Sequence, residues 1–170
     1  MTKNRTQGLV FASLLAALTC VTTMAVKLPT PLGGYVNLGD AIVLLSATLL
    51  SPLYAVLAAG IGSALADLFS GYALYAPATL LIKALMALIA YAVIKSFKGK
   101  KQILGSSIGA LLAALFMVIG YYVFEGFLYG FGASLVNIPA NAIQGAVGAT
   151  LGVLLVQLIQ KVSPEMGKQE

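Results

Sequence analysis

The chain of 170 residues has no histidine and a single cysteine. Histidine- or cysteine-based metal centres, haem attachment and disulfide frameworks therefore lack their ligands. Charge is almost as scarce: Asp, Glu, Lys and Arg make up 9% of the chain, against 60% hydrophobic residues. A soluble domain carries about 25% charged residues to cover its surface. A chain this poor in charge cannot be coated for water, nor is it polar enough to stay disordered. What remains is an all-α integral membrane protein.

A membrane-crossing helix takes about 20 mostly apolar residues. The Pro/Gly-rich stretch 27–34, Ser51-Pro52, Ser70-Gly71-Tyr72, Lys98-Gly99-Lys100-Lys101 and the glycine–aromatic run 126–132 interrupt the apolar sequence. Proline and glycine there cannot continue a helix, or belong in the first turn of the next one. The breaks leave six predicted transmembrane helices in one domain, 1–170, at roughly 7–26, 39–51, 52–70, 75–97, 104–128 and 136–161. The second is short, and is either a tilted span or continuous with the preceding loop. Residues 1–26 could alternatively be a signal peptide, but the apolar stretch is long and Thr23-Met24-Ala25 makes a poor cleavage site.

Lys3, Arg5, Lys95, Lys98, Lys100, Lys101, Lys161 and Lys168 fall at the N-terminus, the fourth connection or the C-terminus, which six spans put on one side. Lys27 alone falls on the other. Positive charge in short loops marks the cytoplasmic face, so both termini are expected inside. The net charge of +5 is thereby an orientation signal and not a nucleic-acid stripe.

Charges within spans cost about 2.5–3.5 kcal/mol each on insertion scales and need a reason. Asp67 and Lys83 flank the third connection, and antiparallel helices bring them to similar depth. They are expected to form a structural ion pair, with direct ligand contact as the alternative. Asp40 opens the second helix and either caps its free N–H groups or meets a ligand. Glu125 sits among Tyr121, Tyr122, Phe124, Phe127 and Tyr129, company that favours a pocket over a snorkelling carboxylate. Asn137, Asn141 and Gln144 share one face of the last helix, as helix–helix glue or as pocket lining. Tyr72, Tyr75 and Thr79 lie across the third connection. All these groups sit at the ends opposite the Lys-rich loops. The expected site is an extracellular-facing pocket for a small, polar, aromatic ligand, with Asn37, Tyr72, Tyr75, Tyr122, Glu125, Asn137 and Asn141 around it. Gly8, Ala12 and Ala16 recur every four residues and form a small-residue stripe, for internal packing or for docking a partner through Ala12 and Ala16.

With these residues in view, the chain resembles the S components of energy-coupling factor (ECF) transporters. The resemblance rests on the six short spans, the Pro/Gly-rich first outer loop, the Ala12-xxx-Ala16 stripe and three stretches: Val36-Asn37-Leu38-Gly39-Asp40, Leu65 to Tyr72, and Tyr75 to Lys83. It covers almost the whole chain and points to the hydroxymethylpyrimidine/pyridoxine/riboflavin branch, with the first two ligands favoured. The resemblance implies a multi-pass subunit of a bacterial plasma membrane. Such a subunit binds a vitamin, works with a transmembrane coupling protein and two cytoplasmic ATPases, and topples to deliver its ligand. Residues 27–38 would be the lid and the alanine stripe the docking motif. No cofactor is implied.

The chain has no Walker-type phosphate loop, so ATP hydrolysis belongs to partners. Catalysis by paired carboxylates is disfavoured, because Asp40 and Asp67 stand on different helices and Asp67 has Lys83 as a nearer partner. A self-sufficient small transporter or channel, and a structural membrane scaffold, remain as alternatives.

Overall fold

The computed structural model describes residues 5–97 and 102–162. Lys3, Lys98, Lys100, Lys101 and Lys168 lie outside the described residues. In chain order the elements are α1 (Arg5–Ala25), a hairpin of β1 (Leu28–Pro29) and β2 (Tyr35–Val36), α2 (Asp40–Leu49), α3 (Pro52–Phe69), α4 (Ala76–Ser96) and α5 (Gln102–Tyr129). The chain closes with the short α6 (Phe131–Ser134), a 3-10 turn over Leu135–Asn137, and α7 (Ile138–Val162).

Five helical segments are long and apolar enough to cross a membrane: α1, α3, α4, α5 and the run from α6 through α7. The sixth expected helix, α2, is apolar too but shorter, as the expectation of a short second helix had it. Ten residues of α2 reach about 15 Å, half the hydrocarbon thickness. Every residue from Asp40 to Thr48 is buried, packed by α3, α4 and α7. Though walled in by protein, α2 carries the chain from the hairpin end toward the Arg5 end, where Tyr54 at the start of α3 reaches the Arg5 carbonyl at 3.4 Å. It stops at Leu50, whose backbone is extended, just before Ser51-Pro52.

Small side chains fill the interior, while large ones face outward. Ala47, Ala55, Ala59, Ala66 and Ala87 have no exposed surface, whereas Leu9, Leu14, Leu53, Leu81, Leu111 and Ile143 are all largely exposed. That inversion is what a bundle held by close backbone approach in lipid requires. Gly62 lies against the carbonyl of Ala16, where any side chain would collide, and so brings α3 onto α1. Gly148 lies against Asp40, where a Cβ would come within 2.5 Å of the aspartate's own, and so brings α2 onto α7.

Because the helices alternate in direction, the hairpin, the start of α2, the α3–α4 turn and the α5–α7 connection meet at one end. Of the described basic residues, Arg5, Lys95 and Lys161 lie at the other end, Lys27 lies at the hairpin end beside Ser70, and Lys83 is buried within the bundle. The stretch read as a simple loop is a two-stranded antiparallel hairpin, pairing Leu28 with Val36 and Pro29 with Tyr35. Gly33, at φ +78°, makes its turn.

An apolar groove of about 980 Å³, including its open mouth, runs between α1 and α3. Ala12 and Ala16 line it with Leu9, Ser13, Leu57 and Ile61. Ala12 is itself buried, so the stripe forms the groove's floor and not a ridge.

Candidate functional site

Five helices and the hairpin turn polar side chains toward one cavity. Spacing of i, i+4 accounts for most of it. Ser63 and Asp67 share a face of α3, Tyr75, Thr79 and Lys83 a face at the start of α4, and Tyr121 and Glu125 a face of α5. Thr23 near the end of α1, Asn141 on α7, and Thr30, Gly34, Tyr35 and Asn37 of the hairpin region complete the lining. The cavity and its mouth hold about 390 Å³ of space between atoms.

Hydrogen bonds hold the hairpin over it. The Tyr35 hydroxyl donates to Asp67 Oδ1 at 2.6 Å. The Tyr75 hydroxyl lies 3.0 Å from the Leu32 carbonyl and 3.3 Å from Glu125 Oε1. The Asn37 backbone N–H donates to Gln144 Oε1 at 2.9 Å, and Lys27 Nζ to Ser70 Oγ at 3.0 Å. Burial, reinforced by the Asp67 carboxylate, pushes the Tyr35 phenol far up, so it stays a neutral donor.

Below the cavity lies a second polar layer. Lys83, 1% exposed, pairs with Asp40 and not with Asp67. The expected Asp67–Lys83 pair is thus corrected. Lys83 points toward α2, which packs against α4, while the hairpin's Tyr35 occupies Asp67. Gln144 Nε2 donates to Asp40 Oδ2 at 2.9 Å, and Met117 Sδ lies 3.1 Å from Lys83 Nζ. Gln144 therefore links the hairpin's end to the ion pair.

Of the residues expected around a ligand, Asn37, Tyr75, Glu125 and Asn141 line the cavity. Asn137 stands behind it, donating through Nδ2 to Glu125 Oε1 at 2.8 Å. Tyr72 packs on Tyr35 with ring centroids 4.5 Å apart, supporting the hairpin from outside. Tyr122 packs on Phe131 at 5.7 Å and belongs to an aromatic cluster beside the site. The cavity also recruits residues the sequence did not single out: Thr23, Thr30, Tyr35 and Ser63. The last pair of residues on α3 carried one available signal, the i, i+4 spacing of Ser63 and Asp67.

Five oxygens in this lining are buried and have no hydrogen-bond partner: Thr23 Oγ1, Thr30 Oγ1, Ser63 Oγ, Asp67 Oδ2 and Glu125 Oε2. Buried polar atoms left alone are rare and costly. Five around one cavity leave its lining with unmet hydrogen-bonding capacity.

Residues 3–161 match the family described as the S component of the ECF-type riboflavin transporter. The chain belongs to that family. An S component of a bacterial ECF transporter, solved as a structure, superposes with a TM-score of 0.72 at 27% identity, covering 94% of this chain and 98% of that one. An uncharacterized protein from Pyrococcus woesei is 36% identical over 142 residues, 83% of this chain and 93% of its own length. The chain is thus a multi-pass membrane protein of a vitamin-binding S-component family. The matched family is the riboflavin one, whereas the sequence favoured hydroxymethylpyrimidine or pyridoxine within the same branch.

Proposed function

We propose that the chain captures riboflavin from outside the cell and passes it inward as the S subunit of an ECF-type importer. The observation that carries this reading is the set of five unpartnered oxygens around one cavity under a latched hairpin. A flavin presents N–H and O–H donors for such oxygens, and a ring system for Tyr75 and Tyr121 to pack against. The family match supports the choice of riboflavin. In this reading the hairpin end faces outside, both termini face the cytoplasm, and the hairpin opens to admit the ligand. The groove floored by Ala12 and Ala16 receives a transmembrane coupling protein, and two cytoplasmic ATPases supply the energy for toppling. The membrane is the plasma membrane, bacterial by analogy with the solved S component.

One observation favours a smaller ligand. The enclosed space is only about 20 Å³, room for little more than a water molecule, so the hairpin must move before any ring can enter. A hydroxymethylpyrimidine or pyridoxine ring would need less movement of the hairpin than a flavin.

Purified protein in mild detergent, titrated with riboflavin by fluorescence quenching, separates the two. Saturable binding that neither hydroxymethylpyrimidine nor pyridoxine displaces supports the flavin. Displacement by either one, with weak riboflavin binding, shifts the assignment to the smaller rings. Failure to bind any of the three refutes a vitamin pocket here.

A further inference from the structure

The lining of the cavity is chemically divided. On the α5–α7 side stand Tyr121, Glu125 and Asn141, joined by Tyr75, whose ring meets Phe124 edge-on with centroids 5.3 Å apart. Aromatic faces, an amide and a carboxylate suit the plane and edge of a heteroaromatic ring. On the α1–α3 side stand Thr23, Ser63 and Asp67, with exposures of 2%, 1% and 3%. These three offer two hydroxyls and a carboxylate, and each has an oxygen without a partner.

We infer that the α1–α3 wall is a separate subsite for a neutral, hydroxyl-bearing chain of the ligand, with Asp67 its principal acceptor. This rests on the vitamin-pocket reading and goes further by assigning a part of the ligand to a wall. Two observations carry it. First, Tyr35 holds Asp67 Oδ1 at 2.6 Å, which fixes the carboxylate and leaves Oδ2 as an acceptor in the cavity wall. A carboxylate accepting from an alcohol makes a charge-assisted bond, stronger than a neutral one. Secondly, this wall offers no free cation among the described residues. Lys83 is paired with Asp40, and Lys27 donates to Ser70 outside the cavity. A phosphate or carboxylate on the ligand's chain would meet Asp67 with nothing to neutralise it, whereas alcohols donate to Asp67 and exchange bonds with Thr23 and Ser63.

Asp67 thereby serves ligand and hairpin at once. One oxygen anchors Tyr35 and the other receives the chain, so occupancy of the subsite fixes the group that latches the hairpin.

The test compares riboflavin with lumiflavin, which has the same ring but a methyl group in place of the hydroxylated chain. Loss of a buried charge-assisted bond reduces affinity by about five- to a hundredfold. Asp67→Ala also removes the latch bond to Tyr35, so it should weaken binding of both flavins about as Tyr35→Phe does, and of riboflavin by a further factor in that range. Ser63→Ala, a milder change that decides the matter if Asp67→Ala fails to fold, should show the same selectivity with a smaller loss. Equal losses for both flavins, in Asp67→Ala and in Ser63→Ala alike, would overturn the inference, because Asp67 would then act only through the hairpin or the fold. Equal affinity of the unaltered protein for the two flavins would also overturn it while leaving the flavin pocket intact. Binding of neither flavin would overturn the pocket reading and this subsite with it.

Discussion

The buried pair of Lys83 and Asp40 sets up a quantitative test of how the bundle is packed. Lys83→Met replaces the ammonium by an uncharged side chain of similar length, beside Met117 and the Tyr121 ring. Asp40, 4% exposed, would keep a single side-chain donor, Gln144 Nε2 at 2.9 Å. Breaking a buried pair by removing one partner costs about 3–5 kcal/mol, mostly the penalty of the abandoned charge. For a chain of this length that corresponds to a melting shift of roughly 6–20 °C. Asp40→Asn should cost a comparable amount by abandoning the ammonium. The double variant has no buried charge left at the site, and should be less damaged than the two losses summed, by about 2–3 kcal/mol of coupling. The same cycle through Asp67→Asn and Lys83→Met should come out close to additive, because Asp67 bonds to Tyr35. Unfolding in mild detergent, followed by circular dichroism, reads both cycles. A coupling through Asp67 as large as that through Asp40 would refute the packing of α2 against α4 and restore a pairing between neighbouring helices.

Cysteines placed at 30–34 should react with a membrane-impermeant reagent from outside, and those at 99–101 only after permeabilisation; the reverse pattern would invert the orientation. A bulky residue at Ala12 or Ala16 should weaken assembly with the coupling protein, measured by co-purification, with ligand affinity nearly unchanged. Assembly unaffected by such a change would make the groove floor internal packing alone. Glu125→Gln and Asn141→Ala should each weaken ligand binding by about five- to a hundredfold, with melting temperatures little changed before ligand is added. Tyr35→Phe removes one latch bond and should speed ligand release by about tenfold, read by stopped-flow fluorescence, since a net hydrogen bond to a charged group contributes about 1.5–3 kcal/mol.

The long helices were legible because hydropathy and the Pro/Gly breaks are local properties of the chain. The burial of α2 was not, since an apolar run reads alike whether lipid or protein surrounds it. The amide face of α7 was legible from its period, and Asn137, Asn141 and Gln144 are all buried. Their division of labour was not: Asn141 lines the cavity, Asn137 orients Glu125, and Gln144 ties the hairpin to Asp40. The partner of Lys83 escaped for the same reason. Asp67 is nearer in sequence, but the choice between carboxylates depends on which helix packs across α4, and that is a property of the assembled bundle.

The hydroxyls give the sharpest case. In an apolar helix a serine or threonine can satisfy itself by donating to the carbonyl four residues back. Thr19 does so to Leu15 at 2.8 Å, Ser46 to Ile42 at 2.8 Å and Thr48 to Leu44 at 3.0 Å. Such residues carry no information about a ligand, and in the sequence Thr23 and Ser63 look no different from them. In the structure Thr23 and Ser63 have no such bond, although both are as deeply buried as the others. Their hydroxyls forgo the local partner and line the cavity beside Asp67. A hydroxyl that could be satisfied within its own helix but stands unpaired in a cavity wall is the observation on which the proposed subsite on the α1–α3 side rests.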